Sequence, residues 1–171
     1  MRNRGPSPRV QNLLDQLQAI YAEADQHHST WSCPKTAECC HFGITGKEPF
    51  VTTIELAEIE RALRAQGREP APPDRRAKEN EKKDPKRVCP MLTEGLRCSI
   101  YASRPLGCRT FFCHRADRGE KVPHQAWRDI VRRIEDLARL HRKDGQIGRP
   151  LGRILGRPST LKNPSRTDGP S

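Results

Sequence analysis

The chain lacks the long apolar runs of a membrane protein and the leader of a secreted one. No apolar stretch approaches the ~20 residues that a helix needs to span a bilayer. The first stretch, MRNRGPSPRVQNLLDQLQAI, contains neither the apolar region nor the cleavage site of a secretory signal. We therefore expect a cytoplasmic protein with no membrane association, in a compartment where disulfides rarely persist.

Apolar side chains are also few. Hydrophobic residues make up 33% of the 171 residues, and adding the 12 glycines brings the share to about 40%. An average soluble domain has roughly 45–50% on that count. A core this small for one domain favours an added staple, which is either a set of disulfides or a bound metal.

Cysteine is the residue that the chain has in excess. All seven cysteines lie between residues 33 and 113, and an odd number leaves one unpaired in a disulfide framework. Thiolates are soft ligands that select zinc, copper(I) or iron–sulfur clusters. We therefore predict that every cysteine is a metal ligand: Cys33, Cys39, Cys40, Cys89, Cys98, Cys108 and Cys113.

The spacing of the cysteines does not identify the metal. A structural zinc ion takes four Cys or His ligands, and an iron–sulfur cluster commonly takes four thiolates, so seven cysteines exceed one set and fall one short of two. His41 and His114 each follow a cysteine and are equally compatible with an eighth ligand or a surface position. Neighbouring Cys39 and Cys40 are expected to point apart, serving two metal ions or dividing into one ligand and one packing residue. The predicted cofactor is a zinc ion, an iron ion or an iron–sulfur cluster.

The pattern outside the cysteines predicts a small, mainly helical α+β domain with irregular Cys-rich loops. Ser7-Pro8 is a helix start, and the apolar spacing that follows continues to about His27. A second helix is expected from the Thr52 capping box to about Gln66, and a third over residues 124–143.

One short β-hairpin is predicted at residues 88–100, turning at Glu94-Gly95 and carrying Cys89 and Cys98 on or near its strands. On the second helix, Leu56, Ile59 and Leu63 are expected to form the buried stripe. Glu55 and Glu58 are expected to face solvent. No nucleophile elbow, phosphate-binding Gly-rich loop or His-Glu-x-x-His motif is present.

We expect one domain over residues 8–144 and a basic, disordered tail over 145–171. Residues 68–87 are rich in proline and in charges of both signs, which predicts a flexible insertion. The tail contributes to the formal net charge of +11. Such an excess of positive charge predicts weak, non-specific binding of nucleic acid at low salt.

The second half of the cysteine pattern resembles the YkgJ-type cysteine-cluster family. The resemblance rests on Cys89-Pro90, on Cys98-x-Ile100-Tyr101-x-x-Arg104-Pro105-x-x-Cys108-Arg109-x-x-x-Cys113, and on the upstream pair Cys39-Cys40. It covers about residues 31–115 and implies a zinc- or iron-chelating domain. Thr36 departs from the family pattern C-x2-C-x2-C-C at the position of its second cysteine.

The resemblance also implies alternatives. Flagellin lysine N-methylases are similar in this cysteine pattern, which implies an iron–sulfur enzyme that modifies protein side chains. A zinc-dependent nucleic-acid or protein adaptor is a further alternative, based on the net charge. Tyr101, Arg104 and Arg109 are interpreted either as supports that bond loop carbonyls and a carboxylate, or as groups that bind an anion or tune the thiolates.

Overall fold

The computed structural model describes residues 5–27, 37–72, 87–110 and 124–156. The α-helices in these ranges are α1 Pro8–Gln26, α2 Phe42–Thr45, α3 Thr53–Ala65, α4 Leu106–Thr110, α5 His124–His141 and α6 Leu151–Ile154. They are joined by two 3₁₀ turns, Glu38–Cys40 and Tyr101–Ser103, and two strands, β1 Phe50–Val51 and β2 Arg149–Pro150. The predicted class, a small and mainly helical α+β domain, is confirmed.

The ends of the two N-terminal long helices follow from local chemistry. At the start of α1, the Val10 N–H donates to Ser7 Oγ at 3.4 Å, and Pro8 occupies the first helical position. At the start of α3, Glu55 Oε2 accepts from the Thr52 N–H at 2.9 Å. Both starts are as predicted, and the ends of α1 and α3 each lie within one residue of the expected positions.

The three long helices, α1, α3 and α5, pack around a first core. Its buried side chains are Leu13, Leu14, Leu17, Ile20, Tyr21, Ala24, Ile54, Ile130, Ile134, Leu137 and Ala138. Full burial of one large apolar side chain is worth about 1.5–3 kcal/mol. This core therefore supplies a stable platform that contains no cysteine from the described ranges.

A second core lies on the other side of α3 and holds the cysteine-bearing loops. Its buried members are Ala37, Phe42, Val51, Ile59, Leu63, Cys89, Met91, Leu92, Ile100, Leu151 and Leu155. Cys40 and Cys98 are partly buried against it. Helix α3 thus connects the two cores, with Ile54 in the first and Ile59 in the second.

The segment after α5 corrects the expected limits of the tail. β2 pairs antiparallel with β1, in the register Phe50 with Pro150. Leu151 and Leu155 are buried, and Gly156 forms a β-bridge with Ala71. The expected start of the tail at residue 145 therefore lies inside ordered structure, because apolar side chains among the Gly, Pro and Arg residues pack on the second core. A truncation meant to remove only a tail must begin after Gly156.

Residues 87–100 reverse direction as predicted, but with less regular pairing than a two-stranded hairpin. Leu92 and Cys98 form one antiparallel bridge, and the Thr93 N–H donates to Arg97 O at 2.9 Å. Leu96, at the turn, has a positive φ of 54°. A single bridge closes the turn because the neighbouring residues pack their side chains on the second core instead of extending the ladder.

The expected insertion at residues 68–87 is described at its two ends. Ala71 belongs to the bridge with Gly156, and Arg87 forms an ion pair with Glu48 at 3.3 Å. Residues 73–86 lie outside the described ranges. Within those ranges, every helix is too short or too polar to traverse a lipid bilayer.

Gly145 is required by a close approach between α3 and the end of α5. The Thr53 N–H donates to Gly145 O at 3.0 Å. A Cβ at this position would lie 2.1 Å from Ala138 O and 2.4 Å from Thr53 Oγ1. Both distances are far inside van der Waals contact, so any side chain must separate the two helices.

Substitution of Gly145 by alanine should therefore destabilise the fold. We expect a loss of about 1–3 kcal/mol in the free energy of unfolding, as for overpacked cores, measured by urea denaturation. Gly95→Ala is the matched control, because the nearest atom to its Cβ lies at 3.9 Å; its effect should stay within about 0.5 kcal/mol. Equal losses in both variants would contradict the interpretation.

Candidate metal centre

Backbone hydrogen bonds join the two segments that carry the first cysteines. The Cys89 N–H donates to Cys40 O at 2.7 Å, and the Gly43 N–H donates to Arg87 O at 2.8 Å. Cys39 and Cys40 lie in the 3₁₀ turn Glu38–Cys40, which follows Ala37 in the left-handed conformation. These bonds place cysteines that are about fifty positions apart in the chain side by side.

The thiols of the described cysteines converge on one place. Cys39 Sγ lies 4.0 Å from Cys40 Sγ, and the Cys40 thiol is hydrogen-bonded to Cys89 as well. Cys98 and Cys108 interact electrostatically with Cys89 and with Cys39. None of these side chains forms a disulfide. We call the group the five-thiol cluster, and it consists of Cys39, Cys40, Cys89, Cys98 and Cys108.

The expectation that Cys39 and Cys40 point apart is wrong. Their sulfur atoms lie 4.0 Å from one another because the tight 3₁₀ turn carries both side chains toward Cys89. Of the other predicted ligands, Cys33 and Cys113 lie outside the described residues, as does His114. His41 caps the start of α2, where its carbonyl accepts from the Thr45 N–H at 2.9 Å.

The donor chemistry of the five-thiol cluster suits a soft metal, and the arrangement is not that of a closed site. Within residues 5–27, 37–72, 87–110 and 124–156, no three His, Cys, Asp or Glu side chains are grouped tightly enough to hold a metal ion as they stand. A metal bound there requires small movements of the thiols or ligands from elsewhere in the chain. Sulfur donors in this number favour zinc or iron over magnesium or calcium.

The surroundings favour neutral thiols at most of these positions. Hydrogen bonds with Cys39 and Cys89, together with burial, raise the pKa of Cys40. Burial raises the pKa of Cys98 to about 11 and that of Cys108 well above its ordinary value. Hydrogen bonding from Cys40 lowers the pKa of Cys89, which is the partner that carries negative charge most readily. A metal that binds as a thiolate complex must therefore displace protons.

A buried arginine supports the segment that carries Cys108. Arg109 is 3% exposed, and its Nε donates to Arg104 O at 2.9 Å while Nη2 donates to Ala102 O at 2.5 Å. Its Nη1 forms an ion pair with Asp25, and its guanidinium lies over the Tyr21 ring at 4.2 Å. The side chain thus ties α4 to the preceding loop and to α1.

Arg104 forms the second half of this network. Its Nη1 donates to Tyr101 O at 3.1 Å, and Nη2 donates to Asp25 Oδ1 at 3.3 Å. The guanidinium also lies 3.9 Å from the centre of the Tyr101 ring. These are contacts to loop carbonyls and a carboxylate. An additional role for Tyr101, Arg104 and Arg109 in binding an anion stays a prediction.

Asp25 is a site residue that the sequence analysis did not single out. It lies in the last turn of α1, and its carboxylate is shared by the two arginines, one at each oxygen. No local pattern reveals this role, since Arg104 and Arg109 lie 79 and 84 positions away. The only signal in the sequence is an acidic residue at the end of a helix, where the macrodipole disfavours one.

Glu55 and Glu58 are buried, and the expectation that they face solvent is wrong. Ile54, Glu55, Glu58 and Ile59 occupy one face of α3, whereas Leu56 is only partly buried. Glu58 pairs with Arg61 through two hydrogen bonds of 2.8 Å. The buried stripe is therefore shifted from the expected one by the need to enclose two carboxylates.

The Glu55 carboxylate joins three parts of the chain. Oε2 accepts from the Thr52 N–H at 2.9 Å and from Thr52 Oγ1 at 3.0 Å. Oε1 accepts from the Leu106 N–H at 2.9 Å and from the Tyr21 hydroxyl at 3.3 Å. Burial raises the pKa of Glu55 against these hydrogen bonds, which act to lower it. The start of the helix that carries Cys108 is thus fixed to α1 and α3.

These features define the class of the protein: a helical domain with a thiol cluster held between loops, suited to a soft metal ion. A family model with the description "CxxCxxCC: Putative zinc- or iron-chelating domain" matches residues 32–127. The match covers 96 of the 171 residues, and the chain belongs to this family. No curated protein and no solved structure matches the chain.

Substitution of Glu55 by glutamine should destabilise the domain. The amide nitrogen would face either the Leu106 N–H or the Thr52 N–H, which leaves a buried donor without an acceptor. Such a loss costs about 1–3 kcal/mol, measured by urea denaturation of the reduced protein. Glu60→Gln is the control, because Glu60 makes only an exposed pair with Arg64 at 3.2 Å. A smaller loss for Glu55→Gln than for Glu60→Gln would contradict the assignment.

Asp25→Asn should lower stability because it removes the charge that both buried arginines share. The Asp25 side chain is 40% exposed, so solvent screening reduces the effect, and we expect about 1–3 kcal/mol. Glu23→Gln is the matched control on the same helix, because it removes only a half-exposed pair with Arg133. Thermal unfolding of both variants makes the comparison, and equal shifts in melting temperature would exclude a special role for Asp25.

Proposed function

We propose that the protein binds a zinc or iron ion through thiolates of the predicted ligands Cys33, Cys39, Cys40, Cys89, Cys98, Cys108 and Cys113. The observation that carries the proposal is the convergence of the five-thiol cluster inside the segment that matches the chelating family. A cytoplasmic location, expected from the sequence, keeps such thiols reduced and available to a metal.

The separation of the first two sulfur atoms favours a single ion at that point. Bonds of about 2.3 Å at tetrahedral angles place two thiolates of one zinc ion about 3.8 Å apart. Cys39 Sγ and Cys40 Sγ lie 4.0 Å apart, so both can bind one ion with little movement. Cysteines of an iron–sulfur cluster bind different irons separated by bridging sulfide, and their sulfur atoms stand farther apart.

The chain's own residues have separate tasks in this proposal. The cysteines supply the donors, and loss of their protons accompanies binding. Arg104 and Arg109 bring positive charge close to Cys108, which offsets the negative charge of several thiolates. Asp25 and Glu55 hold the loop and α4 in register with α1 and α3. The bound metal supplies cross-linking of loops that otherwise rest on a small core.

An iron–sulfur cluster is the second candidate. Five thiols at one place exceed the four ligands of one tetrahedral ion, and two nearby guanidinium groups are suited to a strongly negative cluster. An enzyme that modifies protein side chains would follow from that cofactor. Binding of a nucleic acid or a protein partner by the basic residues is a separate prediction that rests on charge alone.

Metal should stabilise the fold only while the thiols are present. If free zinc is buffered at about one hundred times the dissociation constant, the free energy of unfolding should rise by about 2.7 kcal/mol. The Cys40→Ser/Cys89→Ser variant, which leaves three thiols in the cluster, should lose this increment. Leu92→Ala, a buried neighbour, should lower stability by about 2–5 kcal/mol and keep the increment. Loss of the zinc increment in both variants would show a general defect in folding.

The native metal can be determined by purification without oxygen. We expect bound zinc or iron in stoichiometric amount, measured by elemental analysis, with no acid-labile sulfide if the single-ion arrangement holds. Iron together with equimolar sulfide and visible absorption would establish the second candidate instead. Protein that binds neither metal, before or after anaerobic reconstitution, would contradict both.

A further inference from the structure

We propose that the metal is cargo: the five-thiol cluster holds one ion through four thiolates, and the fifth thiol makes it possible to pass the ion to an acceptor. The inference rests on the proposed function, since it concerns the same cysteines. It adds a carrier role and a class of acceptor, namely a molecule with thiolate or nitrogen donors.

The number of donors is the first argument. A tetrahedral ion takes four ligands, and five thiols from three separate segments meet at this cluster: Cys39 and Cys40, Cys89 and Cys98, and Cys108. Cys40, Cys89 and Cys98 all lie against the second core. A site that only cross-links the fold needs no fifth donor, because four already saturate the ion.

The exposure of the thiols is the second argument. Structural metal sites are closed, and their ligands are screened from exchange with solvent components. Here Cys89 is buried, at 5% exposure, whereas Cys39, Cys40, Cys98 and Cys108 are each partly exposed. An incoming donor can therefore reach the ion from the side of these residues while Cys89 still holds it.

The transfer is a ligand exchange without change in oxidation state. A donor atom of the acceptor loses its proton and forms a bond to the ion, and one bond between the ion and a cluster sulfur breaks. The displaced thiolate takes up a proton. Repetition moves the ion to the acceptor, and the fifth thiol keeps the coordination complete at each step. Cargo transfer of this kind needs accessible sulfur donors and no other reactant.

The first test measures redundancy in a Cys33→Ser/Cys113→Ser background, which leaves only the five-thiol cluster. We expect this variant to bind one zinc ion per chain by native mass spectrometry, and to keep that ion when either Cys98 or Cys108 is also changed to serine. Changing both should reduce bound zinc below half an equivalent. Two ions in the background variant, no ion, or loss of zinc in each single variant would overturn the proposal.

The second test uses the unmodified, zinc-loaded chain and a chromophoric zinc chelator with nitrogen donors. Direct exchange predicts a transfer rate that rises about tenfold when the chelator concentration is raised tenfold. A rate independent of chelator concentration would mean that the ion leaves first, and would overturn the carrier role even if redundancy held. Failure of the unmodified chain to bind any zinc or iron would instead contradict the proposed function itself.

Discussion

The buried carboxylate of Glu55 is the interaction on which the arrangement of the thiols most depends. Its two oxygens accept hydrogen bonds from the start of α3, from the start of α4 and from a tyrosine of α1. Burying a carboxylate is costly unless its oxygens are bonded, so these partners cannot move independently of one another. Cys108 lies two residues after Leu106, and its position is therefore set by the helical platform.

The helical platform could be read from the sequence because its signals are local. Ser7 and Pro8 define one helix start, and Thr52 with Glu55 defines another through groups three residues apart. The cysteines could be recognised as a set because thiols so concentrated fit few other purposes. Their pairing could not, since Cys40 and Cys89 are joined by a backbone bond between distant segments.

The errors of the sequence analysis have the same origin. The capping role of Glu55 is local, whereas its contacts with Tyr21 and Leu106 span 34 and 51 positions, so its burial could not be foreseen. The segment after residue 145 has the composition of a tail, but Leu151 and Leu155 complete a core whose other members lie far upstream. Composition describes what a segment would do alone, and tertiary packing decides what it does in the fold.

The pairing of β1 with β2 links residues about one hundred positions apart, Phe50 with Pro150. During synthesis, the loops that carry Cys39, Cys40, Cys89 and Cys98 emerge from the ribosome well before Leu151 and Leu155, which complete the core beneath them. The first core has no such delay for α1 and α3, which are neighbours in sequence. Folding of the thiol-bearing half therefore waits for the last helix, and contacts of such long sequence separation form slowly. Nascent chains expose reduced thiols during that interval, which makes their protection from oxidation a requirement of biosynthesis.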